Sequence, residues 1–254
     1  KHLGLDQKTK ELLVAPADNV TNFEGIQFLV ENPYWEGAKI SLYSAGEESI
    51  ASMPNIKVGK FITQVILQNI EVEDIDLSNA TDLRSAWVQN NPALQKLDLS
   101  YSTIWGQGDK ETEGNGTYGS SLMVLGCPIL KEIKLPEKNE LKAYRIDIEC
   151  LDALETFDMS NVKMVAELSI GDLNKDFNLV YPELTIFYSE DGYAGTYFAC
   201  SENTFYREST QAFLKANYTD IDPDDTVRRL GYTSSLSYDK NKGCRWRTLL
   251  NKQK

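Results

Sequence analysis

Three aspartates recur at one position of a repeated motif, and they are the residues of this sequence best placed to do chemistry. Asp76, Asp98 and Asp158 each stand fifth in the segments VEDIDLS, LQKLDLS and LETFDMS. If these segments form neighbouring strands, Asp76 and Asp98 lie about 5 Å apart and could share acid–base work or bind a metal ion. The alternative is a solvated polar face, which we favour because no third ligand is visible and Lys134 stands between Asp98 and Asp158.

Composition removes several other kinds of chemistry. The only histidine is His2, which excludes Ser-His-Asp and Cys-His nucleophile systems and nearly all zinc sites. A net charge of −12 argues against a nucleic-acid binder, which needs a basic face. No run approaches about eighteen apolar residues, so no membrane-spanning helix is predicted. Four cysteines are too few and too scattered to indicate a disulfide framework, and they leave the redox compartment open.

The aspartate motif belongs to one of two interleaved series of short apolar segments. Its members start at residues 72, 94, 130 and 154, with apolar residues at their first, fourth and sixth positions. The second series shares that spacing, and its members are ITQVIL (62–67), LRSAWV (83–88), GSSLMV (119–124), LKAYRI (141–146) and VAELSI (165–170). Apolar residues that recur in this way point inward and merge into one core when the units stack. The pattern predicts a β-rich repeat solenoid with two short strands per turn of about 22–24 residues.

Asn91 and Cys127 stand three residues beyond the last apolar position of their units. At such a position an asparagine can satisfy backbone groups of the following loop, and a cysteine fills the same space as a small apolar group. We therefore expect Cys127 and Cys150 to be buried core thiols rather than nucleophiles or metal ligands.

These residues make the chain similar to leucine-rich-repeat proteins. The segment from Cys127 to Pro136 reads C-x-x-L-x-x-I-x-L-P, which resembles the BspA-like repeats of bacterial surface proteins. The resemblance covers roughly residues 61–188. It implies an exported or lipid-anchored protein that engages host proteins, other cells or glycans.

The repeat divides the chain into three regions. Residues 1–60 are predicted to form an N-terminal cap, 61–188 the leucine-rich-repeat solenoid with a loop insertion over 103–120, and 189–254 a partly helical C-terminal cap. In the loop insertion, Asp109, Glu111 and Glu113 echo a calcium loop, but Ser120 occupies the place of the essential glutamate, so a surface loop is favoured.

Local patterns predict several elements in the flanking regions. Strands are expected within 24–32 and 37–46, and 8–16 fits a strand or a helix. Helices are expected over 209–217 and within 219–232. The basic tail, 240–254, is expected to be a solvated terminus rather than a partner-binding patch.

A binding surface is expected on the outward positions of the second series. The residues Ile66, Trp87, Met123, Arg145 and Ser169 form its predicted central column, and Gln89 and Asp147 flank it. An apolar run that faces water marks an interaction site. The alternative is that an end segment or the 103–120 loop folds back over this column.

Together, these patterns favour a non-catalytic protein- or glycan-binding module of a bacterial cell-surface or secreted protein. No catalytic residue, cofactor or metal is expected, and the partner is an unidentified protein or glycan, host-derived molecules included. The start at Lys1 suggests a mature form whose export signal has been removed, and hence an extracytoplasmic location. A monomer is expected. Two alternatives stay open. One is a glycan-active hydrolase that uses Asp76 and Asp98 with an aromatic platform from 197–206, and the other is a purely structural spacer.

Overall fold

The computed structural model shows a β-solenoid of about six turns with few helices. It describes Asp6, residues 10–102 except 33, 36 and 46–48, residues 121–185 except 138, 139, 172 and 175, and residues 189, 190, 193, 194 and 196–217, together with the backbone of 233–236 and 244–249. The predicted loop insertion at 103–120 and the predicted helix at 219–232 lie outside these residues. The predicted repeat solenoid is confirmed.

One face of the solenoid is a ten-stranded sheet, called the major sheet below. Its strands in spatial order are β1 (Glu11–Val14), β2 (Lys39–Tyr43), β5 (Gln64–Gln68), β8 (Ser85–Gln89), β10 (Ser121–Leu125), β12 (Leu141–Glu149), β14 (Val162–Gly171), β18 (Tyr197–Ser201), β20 (Cys244–Leu249) and β19 (Thr233–Leu236). Neighbours from β1 to β18 are parallel, whereas β20 joins β18 and β19 in antiparallel fashion. The sheet therefore extends on both sides of residues 61–188.

Shorter strands form the second side of each turn. A four-stranded parallel sheet contains β4 (Ile56–Lys57), β7 (Asp74–Asp76), β9 (Lys96–Asp98) and β11 (Glu132–Lys134). Three two-stranded sheets pair β13 (Thr156–Asp158) with β15 (Asn178–Val180), β3 (Ala51–Ser52) with β6 (Ile70–Glu71), and β16 (Ser189–Glu190) with β17 (Tyr193–Ala194). The second predicted series corresponds to strands of the major sheet, and the aspartate series corresponds to β7, β9, β11 and β13.

The core forms where inward positions of successive turns come into register. Val65, Ala86 and Leu122 are aligned across β5, β8 and β10, and each is at most 1% exposed. Leu97 of β9 and Ile133 of β11 are aligned on the opposite side of the turn and are also buried. A turn cannot bury such a stripe alone, so stacking supplies the apolar contact that stabilises the fold.

A left-handed residue ends four consecutive strands of the major sheet. Asn69, Asn90, Gly126 and Cys150 have φ angles of 58°, 52°, 65° and 53°. Their backbone N–H groups donate to the last residue of the next strand, as from Asn69 to Gln89 O and from Gly126 to Glu149 O. Asparagine and glycine tolerate this conformation best, which accounts for three of the four residues.

Asn91 satisfies backbone groups at the following corner, as predicted. It is fully buried, and its Oδ1 accepts the backbone N–H groups of Ala93 and Leu94 at 3.2 and 3.1 Å. In the next turn the position holds Cys127, a buried free thiol. Burial raises the pKa of this thiol to about 12.

The prediction that Cys150 is a free core thiol is wrong, because this cysteine is disulfide-bonded. The apolar residues of β12 that face inward are Ile146 and Ile148, so the position three residues further on is Leu151. Cys150 therefore occupies the left-handed position at the end of the strand instead of the inward one.

The N-terminal segment adds strands and one short helix. The strand expected within 37–46 is confirmed as β2, and the strand alternative for 8–16 is confirmed as β1. The strand expected within 24–32 is wrong, because α1 (Ile26–Val30) is helical. Ile26 and Val30 are four residues apart and buried, whereas Phe28 is 77% exposed, so the segment buries one helical face rather than one strand face.

Two helices lie beside the last parallel strand. They are α2 (Glu202–Phe205) and α3 (Glu208–Asn217), the second of which confirms the helix predicted over 209–217. Phe213 of α3 stacks on Tyr181, with ring centroids 4.5 Å apart, and contacts the buried Phe198 of β18. Arg207, between the helices, donates to the carbonyl oxygen of Phe177 at 2.9 Å. These contacts hold the helices against the end of the parallel array.

The basic tail is only partly as expected. Residues Cys244–Leu249 form β20 within the major sheet, so this part of 240–254 is not a solvated terminus. The backbone groups that pair with β18 and β19 fix its position.

Candidate functional site

The predicted binding column is partly out of register. Ile66, Trp87 and Met123 are aligned across β5, β8 and β10 as expected. The next residue in this column is Asp147, because Met123 pairs with Asp147 and Ser121 pairs with Arg145. Arg145 therefore does not belong to the central column, and Asp147 does not flank it. The apolar residues of β12 permit two alignments two positions apart, and the structure adopts the later one.

The central column does not present an apolar strip to water. Ile66 and Met123 are each only 5% exposed, and Ser169 is equally buried. Trp87 is half-buried, and its indole N–H donates to Oε1 of Gln89 at 3.1 Å. Of the six residues predicted to bind a partner, only Trp87 and Arg145 keep appreciable exposure. The expectation that this run faces water is wrong for Ile66 and Met123.

A charged cluster occupies the same face at β12 and β14. Nη2 of Arg145 donates to Oδ2 of Asp147 at 2.8 Å, and Nη1 lies 3.5 Å from Oε2 of Glu167. The Tyr144 hydroxyl donates to Oε1 of Glu167 at 3.0 Å. Burial raises the pKa of Asp147, and the nearby charge of Glu167 adds to this effect, whereas Arg145 opposes it. The contacts with Glu167 connect β12 to β14, and Asp147 is the fully buried member of the cluster.

The recurring aspartates, which lie in the short strands β7, β9 and β13, accept hydrogen bonds from the turns that follow these strands. Oδ1 of Asp76, Asp98 and Asp158 accepts the backbone N–H of the serine two residues later, at 2.8, 3.0 and 2.8 Å. In the turn that contains Lys134, the corresponding residue is Pro136, which has no N–H to donate. Aspartate therefore recurs where a serine N–H is present, and lysine replaces it before the proline.

Charge pairing reinforces that role. Nζ of Lys57 lies 3.2 Å from Oδ2 of Asp76, and Lys134 is aligned with Asp98. Burial pushes the pKa of Asp76 upward, but the hydrogen bonds from Ser78 and Lys57 outweigh it, so that the pKa is lowered. The pKa of Asp98 is lowered in the same way by Ser100 and the lysine charges. Two carboxylates held in the ionised form are poorly suited to a general acid, which needs a raised pKa.

The aromatic residues of 197–206 whose side chains the structure describes do not form an exposed platform. Phe198 and Phe205 are buried in the core, and Tyr206 is 63% exposed beyond them. Phe205 and Tyr206 contact each other edge to face. These rings therefore serve the packing of α2 and offer no shared face beside the aspartates.

An open cleft lies at the N-terminal end of the solenoid, and the sequence patterns do not indicate it. Its volume is about 480 Å³, within the range of small-molecule sites. Three separate segments form its walls: the end of α1 with the following loop, the corner at residues 59–62, and the corner at residues 78–81. The lining residues are Val30, Glu31, Asn32, Trp35, Gly37, Gly59, Lys60, Phe61, Ile62, Ser78, Asn79 and Thr81.

Asn32 positions the first aromatic wall. Its Oδ1 accepts the N–H of Tyr34 at 2.9 Å, and its carbonyl oxygen accepts the N–H of Trp35 at 3.0 Å. The Trp35 indole then lies against the backbone of Gly37, where the Cβ of any other residue would approach ring atoms to 2.2 Å. Only glycine leaves room for the ring in this position. In the described part of the chain, the buried Nε1 of Trp35 has no hydrogen-bond partner.

The corner at 59–62 positions the second aromatic wall. The N–H of Ile62 donates to Gly59 O at 3.3 Å, and the N–H of Asp82 donates to Lys60 O at 3.3 Å, so the corner is tied at both sides. Phe61 at its tip is 64% exposed, and Nζ of Lys60 lies 5.9 Å from the centre of its ring. Hydrogen bonds therefore fix the backbone of this corner, while the Phe61 ring itself lies largely in water.

The polar residues of the lining include one acidic and one basic side chain. Glu31 contributes one carboxylate, whose Oε1 accepts the N–H of Lys57 at 3.3 Å and so ties α1 to β4. Lys60 contributes one ammonium group. The carboxamides of Asn32 and Asn79 and the hydroxyls of Ser78 and Thr81 complete the rim. The cleft thus combines aromatic walls with donors and acceptors that can orient a polar ligand.

The described residues include no metal-binding cluster and no membrane-spanning helix. No group of three or more histidine, cysteine, aspartate or glutamate side chains is arranged there to hold a metal ion. None of the described helices has the length and apolar character needed to cross a bilayer.

Comparison with known proteins gives no relative for this chain. Family models, curated proteins and solved structures contain no significant match.

Proposed function

We propose that this chain is a non-catalytic binding module that holds a protein or glycan ligand in the cleft between α1 and the first corners of the solenoid. The observation that carries the proposal is the pair of aromatic walls, Trp35 and Phe61, at an open cleft whose rim bears amides and hydroxyls. An exposed phenylalanine at a hydrogen-bonded corner leaves apolar surface in water, and a ligand that covers the ring recovers that loss.

The hydrolase alternative has less support. The aspartates that could have formed a catalytic pair close turns, have lowered pKa values and lie beside lysines. A glycosidase pair needs one carboxyl with a raised pKa beside one that is ionised. Because the pKa values of Asp76 and Asp98 are both lowered, the binding module is favoured over a hydrolase that uses these two residues.

The repeat family and location belong to the same proposal. The C-x-x-L-x-x-I-x-L-P segment supports a leucine-rich-repeat module of the BspA-like type, with flanking segments that cap both ends of the array. The disulfide at Cys150 supports an extracytoplasmic location, because such bonds persist in oxidising compartments.

An array of glycans and extracellular-matrix proteins tests the binding proposal. The purified chain is applied as wild type, as Phe61→Ala and as Phe28→Ala, the last being an exposed aromatic residue that does not line the cleft. We expect signals that Phe61→Ala loses and Phe28→Ala keeps, with all three proteins equally folded by circular dichroism. No signal for the wild type, or equal loss in both variants, would overturn the proposal.

A further inference from the structure

Resting on the proposed function, we infer that the cleft takes a neutral saccharide, with one pyranose ring against Phe61 and hydroxyl groups on the amide and hydroxyl rim. The inference concerns the chemical class of the ligand, which the binding proposal leaves open between protein and glycan.

The lining matches the two-sided chemistry of a sugar ring. Of the twelve described lining residues, half are aromatic, aliphatic or glycine, and half carry amide, hydroxyl, carboxylate or ammonium groups. A pyranose has an apolar face of C–H groups and a rim of hydroxyls. Its polarised C–H groups are attracted to the negative face of an aromatic ring. A purely apolar ligand would instead leave the polar groups of the rim desolvated and without partners.

The charges favour a neutral ligand. Among the described lining residues, the charged ones are Glu31 and Lys60, whose charges cancel. An anionic ligand would meet the carboxylate of Glu31, which already accepts the Lys57 N–H, and a cationic ligand would meet Lys60 beside the Phe61 ring. Hydroxyl groups can donate to the Glu31 carboxylate and accept from the Lys60 ammonium group, so one neutral molecule satisfies both side chains.

The backbone that carries both aromatic residues is fixed before a ligand arrives. Two backbone hydrogen bonds tie the corner that carries Phe61, and the Asn32 turn together with Gly37 fixes Trp35. A preformed site spends little of the binding energy on ordering its own residues, which suits the weak individual contacts that sugars make. The volume of about 480 Å³ accommodates more than a single ring, so a short oligosaccharide fits better than a monosaccharide.

Titration with defined oligosaccharides tests this inference. The probes are maltohexaose, cellohexaose, laminarihexaose and hexa-N-acetylchitohexaose as neutral ligands, with hexagalacturonate as an anionic one. Chemical shifts are followed by NMR on isotopically labelled wild type, Phe61→Ala, Asn79→Ala and the control Phe28→Ala. We expect at least one neutral probe to shift amides of the 30–37, 59–62 and 78–81 segments. Its affinity should fall about ten-fold in Phe61→Ala, fall in Asn79→Ala, and stay unchanged in Phe28→Ala.

The outcomes separate this inference from the binding proposal. If no neutral probe binds while a protein on the array still depends on Phe61, the cleft is a binding site but the saccharide inference is wrong. Binding of hexagalacturonate alone, or neutral binding that Phe61→Ala leaves intact, also overturns it. Thermal unfolding of each variant shows whether a loss of binding comes from a loss of fold.

Discussion

Oδ1 of Asp98 accepts both the backbone N–H of Ser100, at 3.0 Å, and its hydroxyl, at 2.6 Å. The two residues close one corner of the solenoid, and the backbone bond recurs at Asp76 and Asp158. Asp98→Ala removes the acceptor and should lower the free energy of unfolding by about 1 kcal/mol. Urea denaturation measures the loss. Glu73→Ala, at an exposed position next to the same sheet, is the matched control and should change stability little.

The contribution of Asp98 should depend on pH in a defined direction. Its pKa is lowered in the folded protein, since the hydrogen bonds from Ser100 and the lysine charges outweigh burial. The stabilisation is therefore present above the unfolded-state pKa of about 3.9 and is lost as pH falls through the folded-state pKa. The stability difference between wild type and Asp98→Ala should shrink as the solution is acidified. A difference that grows in acid would contradict the turn-closing role.

Asp147 should show the opposite dependence. Burial raises its pKa in the folded protein, with Glu167 adding to the rise and Arg145 opposing it. Its contribution to stability is thus fully present below the unfolded-state pKa and declines as pH rises through the folded-state value. Thermal unfolding of wild type and Asp147→Asn across the acidic range measures this. We expect wild type to lose stability relative to the variant as pH increases, and a relative gain would show that the ion pair with Arg145 dominates.

Cys127 should be unreactive in the native protein. Burial raises the pKa of its thiol to about 12, so the thiolate is scarce at neutral pH and the sulfur is inaccessible. Iodoacetamide should modify Cys127 only as fast as the chain unfolds, as mass spectrometry of the digested protein can show. The same protein in guanidinium chloride provides the fully reactive reference. Rapid native labelling would mean that this position is open rather than part of the stacked core.

Gly37→Ala should disturb the cleft, whereas Gly59→Ala should not. A Cβ at residue 37 would approach the Trp35 ring to 2.2 Å, while one at residue 59 meets only Val30 O at 3.6 Å. Both glycines line the cleft, which makes the second variant a matched control. With 5-fluorotryptophan labelling, the Trp35 resonance, assigned through Trp35→Phe, should shift in Gly37→Ala and remain in place in Gly59→Ala. Equal spectra for the two alanine variants would show that the indole does not rest on Gly37.

The solenoid can be predicted from the sequence because its determinants recur. Leu97 and Ile133 stand at the same position of their repeated segments, and Asn91 stands three residues after the last apolar residue of its segment. The register of β12 is ambiguous by two residues, since Leu141, Tyr144 and Ile146 satisfy the apolar spacing and so do Ala143, Ile146 and Ile148. The helix α1 escapes prediction for a similar reason, as alternating apolar residues at 26, 28 and 30 also place Ile26 and Val30 on one helical face.

The cleft cannot be predicted from such patterns. Its walls come from segments around residues 31, 60 and 79, which no periodicity connects. The only local signal is the N-P-Y-W-E-G stretch, where turn-forming residues surround two aromatic ones. The burial of Ile66 and Met123 cannot be predicted from the sequence either, because a strand pattern shows which side chains point outward and not what lies over them.

The most direct test of the cleft as the binding site compares Phe61→Ala with Trp87→Ala. Each variant removes one aromatic side chain, the first from the cleft and the second from the half-buried column of the major sheet. The measurement is the dissociation constant for the strongest ligand found on the array, with both variants shown to be folded. Binding through the cleft predicts weakening of about ten-fold or more in Phe61→Ala and wild-type affinity in Trp87→Ala. Wild-type affinity in Phe61→Ala with loss in Trp87→Ala would contradict it and place the ligand on the sheet.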